Sequence, residues 1–182
     1  MSDSLRIELD QLRTEVHRLT ALQAARYCML SVARAFDRLD RELMLNQFWP
    51  DAEVDYGVFY NGNIVGFVDV AMRFQGSMRD TQHLIGNIDV RVDGASAQAE
   101  SYVHAHHVIE QDGALFQLMV GARYLSRFAQ RGGEWRIIYQ TEVLDWGRWL
   151  PIVEQWFEQN REMPKGQRGR DDLSYRFLSV AE

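Results

Sequence analysis

Four long strand-like runs, at about 83–93, 96–110, 115–129 and 134–146, are separated only by the short segments DGAS, EQDGA and QRGGE. Connections this short and glycine-bearing join neighbouring antiparallel strands, so the second half of the chain must be a meander of hairpins. Such a sheet needs cover on one face, and the cover has to come from what precedes it. Apolar residues recur at Leu5, Leu9, Leu12, Val16 and Leu19, and then at Leu22, Ala25, Met29, Val32, Ala33 and Phe36, drawing a stripe along a helix with Ser4 as its cap. Asp40 before RELM reads as the N-cap of a second short helix, so that helices fill roughly 4–47. A short strand follows near 52–56, then the turn-rich YNGNIVG, and then a third helix over 66–78 that carries Phe67, Val70, Ala71 and Phe74. Helices first and a curled antiparallel sheet last predict an α+β fold. The uncovered face of the sheet is then either solvated or buried against a partner chain.

With 182 residues the chain suits one domain with decorations: a helical extension over 1–21, a body over 22–160 and an arm over 161–182. The arm contains MPKGQRGRDD, expected to be flexible, and then LSYRFL, expected to dock on the body or on a neighbour. Twenty basic against 26 acidic side chains give a net charge of −6, which opposes nucleic acid as a partner. No apolar stretch is long enough for a membrane span. The single cysteine, Cys28, has no mate for a disulfide, and the N-terminus lacks the pattern of a signal peptide, so a cytoplasmic location is expected.

No phosphate-binding glycine loop, Cys/His metal spacing or serine elbow occurs in the sequence. What remains is a set of acid–base groups: Asp37, His83, the cluster HAHH at 104–107 and several tyrosines. Asp37 borders the apolar stripe of its helix, where a carboxylate must find hydrogen-bond donors. Asp40 is accounted for by its capping role. In SYVHAHHVIE, strand alternation puts Ala99, Ser101, Val103, Ala105, His107 and Ile109 on the small, apolar face, with His104 and His106 opposite. That split argues against a shared metal, since only two of the three histidines share a face.

AFDRLD at the end of the first helical region, EVDYGVF after it, TQHLIGN at the start of a strand and RYLSRFAQRGGEWRI before the last one resemble the SnoaL-like branch of the nuclear transport factor 2-like superfamily. The likeness spans about Leu22 to Trp149, and within the branch it is similar to scytalone dehydratase. The resemblance implies a cone-shaped fold, a bent sheet wrapped around helices with a pocket at its wide end. It also implies that an Asp–His pair, Asp37 and His83, removes a proton beside a departing group, without any cofactor. A carboxylate that accepts one imidazole N–H fixes the tautomer and leaves the other nitrogen as base. By the same resemblance Tyr56 and His107 would hold a carbonyl oxygen through a water and stabilise an enolate. Phe36 stands where the dehydratase has a tyrosine and Tyr124 where it has an asparagine, so the substrate should differ.

Phe36, Phe59, Tyr124 and Trp146 are expected to wall the pocket, among apolar residues such as Phe157 that otherwise serve as core. Arg123 is either a carboxylate-binding residue of the pocket or a surface ion-pair partner. These readings predict a lyase (dehydratase) or isomerase that acts on a small, largely apolar cyclic carbonyl compound. The rivals are a non-catalytic ligand-binding or assembly module of the same fold and an accessory subunit of an aromatic-ring dioxygenase. Relatives of this kind imply a homo-oligomer, dimer or trimer, with contacts on the open sheet face.

Overall fold

The computed structural model describes residues 3–153, 159–160 and 162–178; Phe157 lies outside them. Helix α1 runs unbroken over Asp3–Arg38, so Ser4 sits inside its first turn rather than capping it. The apolar stripe of this helix splits in two. From Ala21 onward Ala21, Ala25, Met29, Val32 and Phe36 are buried, whereas Leu5 through Leu19 stay exposed. A helix of 36 residues is about 54 Å long, more than the body beneath it can cover. The body begins at His17, whose Nε2 lies 3.0 Å from the Gly94 carbonyl oxygen in a hairpin turn.

α1 ends in a Schellman motif: Asp40 N–H donates to the Ala35 carbonyl and Leu39 N–H to that of Phe36. Leu39 takes the left-handed conformation that usually falls to glycine, with φ 51°. This closure puts Asp37 in the last turn of α1 and leaves Asp40 to cap α2 (Arg41–Asn46), where its side chain accepts from Leu43 N–H. Strand β1 (Phe48–Asp55) follows, then β2 (Asn61–Asn63) and α3 (Ile64–Gly76), which is capped by Asn63.

Strands β3 (Asp80–Asp93), β4 (Ser96–Gln111), β5 (Ala114–Arg131) and β6 (Glu134–Pro151) are the expected meander. The full sheet has the order β2-β1-β6-β5-β4-β3 and does not close. The parallel pairing of β1 with β6 is set by a chain crossing that no local pattern announces, and β2, only three residues long, pairs antiparallel with β1 across the turn at 56–60. Register shifts at Ile85/Ile88, Gly121/Ala122 and Arg127/Phe128 are bulges, which bend strands and curve the sheet around α1 and α3. Burial on β4 follows the alternation: Ala97, Ala99, Ser101, Val103, Ala105 and His107 face inward, while His104 is exposed.

The polar arm docks on the body instead of hanging free. Gly169 N–H donates to the Arg38 carbonyl, Arg170 pairs with Glu42 at 2.7 Å, and Tyr175 Oη donates to Asp40 at 2.6 Å. Tyr175 belongs to a final short helix, α4 (Leu173–Phe177), and is overlain by the Arg34 guanidinium. Charged groups, not apolar ones, seat this segment on the end of α1, which composition alone could not reveal. Among the described residues no helix is long and apolar enough to cross a membrane.

Candidate active site

The last turn of α1 and the first residues of β3 meet at the wide end of the sheet. A carboxylate at a helix C-terminus opposes the helix dipole, at a cost of roughly 0.3–1 kcal/mol. Asp37 is nevertheless buried there and compensated by three donors. Its Oδ1 accepts from His83 Nδ1 at 2.7 Å and from Thr81 Oγ1 at 3.3 Å, and its Oδ2 accepts from the His83 backbone N–H at 3.0 Å. Thr81 and His83 are two apart on a strand, so both side chains point the same way and reach one carboxylate. Since that carboxylate only accepts, Nδ1 carries the proton and Nε2 is the unprotonated nitrogen of the neutral ring.

The His83 ring is clamped between others. Phe36 stacks on it with centroids 5.1 Å apart, and His107 meets it edge-on at 5.3 Å. Behind Thr81 stands Arg168 of the docked arm, which donates to Thr81 Oγ1 at 2.9 Å and to the Gln75 carbonyl at 2.7 Å. Burial lowers the Arg168 pKa, while the charges of Asp37 and Asp80 oppose the shift.

His83 opens onto a cavity of about 300 Å³. Apolar groups make up most of its wall, among them Phe36, Phe59, Phe67, Phe74 and Leu118, and its polar lining comes from Tyr56, Gln75, His83, His107, Tyr124 and Glu142. Asp37 does not reach the cavity; it stands behind the imidazole.

Burial pushes the His107 imidazole down to about 4, and the neighbouring His83 adds to the shift, so His107 is neutral near pH 7. Its Nε2 lies 3.5 Å from Gln75 Nε2, while His107 Nδ1 and Gln75 Oε1 are buried without a hydrogen-bond partner among the described residues. Burial also raises Tyr56 and Tyr124 well above the usual phenol value. Tyr56 Oη donates to Gln140 Oε1 at 3.1 Å, and Gln140 Nε2 donates in turn to Ser126 Oγ at 3.0 Å. The Tyr56 hydroxyl is thus oriented by a buried polar chain, with Tyr124 stacked beside it at 6.0 Å.

Seven of the residues singled out from the sequence converge here: Phe36, Asp37, Tyr56, Phe59, His83, His107 and Tyr124. Two do not. Arg123 lies on the opposite face from Tyr124, its sequence neighbour, and is bound by Asp145 at 3.0 Å and Glu100 at 2.9 Å. Trp146 lies outside as well, because the β-bulge opposite Gly121/Ala122 shifts strand parity. Its indole packs over Gly121, where a Cβ would approach to 2.2 Å, and against His104 at 5.4 Å.

Sequence reasoning missed Glu142, whose pKa burial raises. It also missed Gln75, Thr81 as a donor, and Arg168. A signal existed for Glu142: it alternates with Gln140 and Leu144 on the face of β6 that looks inward. None existed for Arg168, which reaches the site only because the arm folds back.

A helix-borne carboxylate behind a strand-borne imidazole, at the mouth of a cone-shaped sheet, defines a structural class. The SnoaL-like domain family matches residues 17–141, and the chain belongs to that family. No curated protein sequence matches it. Several solved structures are similar in fold. A hexachlorocyclohexane dehydrochlorinase, LinA type 3 from Novosphingobium barchaimii, superposes with TM-score 0.64 at 16% identity over 77% of this chain and 95% of that one. A candidate scytalone dehydratase from Novosphingobium aromaticivorans gives 0.60 at 18% identity, over 72% and 88%. A nuclear transport factor 2-like protein with a cystatin-like fold, from the same organism, gives 0.61 at 17% identity, over 75% and 90%.

Proposed function

We propose that the cavity is the active site of a cofactor-independent lyase or isomerase acting on a small, largely apolar cyclic carbonyl compound. The observation that carries this reading is the 2.7 Å contact between Asp37 Oδ1 and His83 Nδ1, in an imidazole that lines a mostly apolar cavity. Its volume stands at the low end of the ~300–1,000 Å³ range of ligand pockets and suits a compound of one or two rings.

In the proposed reaction His83 Nε2 takes a proton from the carbon next to the carbonyl. The C–H electron pair moves into the ring as an enolate, and Asp37 stabilises the imidazolium that forms. In a lyase the enolate then expels a leaving group from the neighbouring carbon and a C=C bond forms; in an isomerase the proton returns at another carbon. Tyr56 and His107, with Tyr124 beside them, supply polar contacts for the carbonyl oxygen. Glu142 lines the same cavity, and in the proposed reaction its acid form, favoured by burial, donates a proton to a departing hydroxyl.

The names of similar structures, a dehydrochlorinase and a scytalone dehydratase candidate, accord with eliminations begun by a base. The test is deuterium uptake from D2O into a panel of cyclic ketones, some bearing a hydroxyl on the β-carbon, followed by proton NMR. Uptake or elimination by the wild type and its loss in His83→Ala are expected. Undiminished turnover in that variant would sink the assignment, and a ketone that binds without exchanging would favour a ligand-holding module instead.

A further inference from the structure

Residues 3–16 precede the family match, and α1 enters the core only at Ala21. On this projecting part Leu5, Leu9, Leu12, Val16 and Leu19 are 39–63% exposed. Their intervals of four, three, four and three residues are those of a heptad seam, with Leu9 and Val16 at a and Leu5, Leu12 and Leu19 at d. Leucine throughout d and a β-branched residue at one a position is a pattern suited to two strands. The next a and d positions are Gln23 and Arg26, which end the apolar seam.

The direction of the seam leaves room for a second helix. At 100° per residue its centre lies about 150–170° around the helix from Ala21 and Ala25, the first side chains buried against the sheet. An isolated helix of this length would be marginal in water. Here it continues a 36-residue helix anchored in the core, so no new nucleus is required.

The flanking charges choose the orientation. Positions e hold Arg6 and Arg13, and positions g hold Glu8 and Glu15. In a parallel pair Glu8 of each copy meets Arg13 of the other. In an antiparallel pair g faces g and e faces e, setting Glu against Glu and Arg against Arg. Within one chain Arg13 makes a 3.4 Å contact with Asp10, and both side chains are more than 70% exposed, so it can turn to a partner.

We infer that residues 5–19 of α1 form a parallel, in-register, two-stranded coiled coil with a second copy of this chain. The surface is distinct from the open sheet face, and the inference does not depend on the catalytic reading.

The test uses the full chain, with mass in solution measured by light scattering. Leu12→Glu combined with Val16→Glu should halve the mass while the far-ultraviolet circular dichroism keeps its sheet signal; an unchanged mass overturns the inference. Glu8→Arg should weaken assembly and Glu8→Arg with Arg13→Glu restore it; equal assembly in both overturns the parallel pairing. Leu19→Cys should give a disulfide-linked dimer on mild oxidation, because equivalent d positions meet only in a parallel coil. Native Cys28 does not interfere, being 4% exposed with its thiol pushed up to about 11 by burial. A dimer that Leu19→Cys fails to link would overturn the register.

Discussion

Asp37 grips His83 at two points, the ring through Nδ1 at 2.7 Å and the main chain through its N–H at 3.0 Å. Both bonds end on the one carboxylate, so the imidazole is fixed relative to its own strand as well as to α1. A ring held in this way cannot exchange tautomers without breaking a bond to a buried acceptor. Its rotation is further limited by the Phe36 ring on one side and His107 at its edge.

Replacing Asp37 by Asn keeps the shape and removes the charge. The amide can still accept one hydrogen bond, yet it no longer selects the Nδ1–H tautomer or balances an imidazolium. Turnover, read as deuterium exchange, should fall by about 10²–10⁴. Thermal unfolding should show a loss of about 1–3 kcal/mol from imperfectly paired buried groups. Unchanged turnover would remove Asp37 from the mechanism.

His107 couples the site to pH through stability. Its folded pKa, about 4, lies below the ordinary histidine value of about 6.5, so the unfolded chain binds more protons between these limits. The contribution is fully present above about 6.5 and is lost as pH falls toward and through 4, amounting to at most on the order of 3 kcal/mol. Glu142 works in the opposite sense: its raised pKa adds stability at low pH that is lost as pH rises through the folded value. Urea denaturation across this window, wild type against His107→Gln, should show a smaller loss on acidification in the variant. Identical slopes would contradict a neutral, buried His107.

Arg168→Ala severs the arm from Thr81 and Gln75. Stability should fall by about 1.5–3 kcal/mol, as for charge-assisted hydrogen bonds. Because Thr81 then loses its orientation toward Asp37, kcat should drop by roughly tenfold with KM little changed. Thr81→Val should act similarly, and the double variant should cost less than the two effects added. Strict additivity in a double-mutant cycle would show that the arm and the Thr81–Asp37 contact act separately.

Arg123→Ala should leave both kcat and KM of the cavity reaction within twofold of wild type. Its guanidinium is committed to Asp145 and Glu100 on the outer face. A large rise in KM, measured with the ketones that exchange, would mean that the side chain turns inward when ligand binds.

Alternation and turn chemistry made the body of the fold legible. The hairpin meander, the helices before it, the cap at Asp40 and the inward placement of His107 all rest on local periodicity, which acts within a few residues and is written directly in the chain. The resemblance singled out Asp37 and His83, but no periodicity could supply a distance between residues 46 apart. Tertiary structure decided that distance through the Schellman closure of α1 and the register of β3. It also decided which of two adjacent residues, Arg123 or Tyr124, faces the cavity, through the pairing of β5 with its neighbours, and a bulge on β6 reverses that strand's parity and carries Trp146 outside. The heptad spacing of Leu5 to Leu19 was present in the sequence, yet its meaning depended on whether the sheet covered those residues. Only the fold shows that α1 outruns the sheet, since burial is a property of the packed whole and not of the helix that bears the stripe.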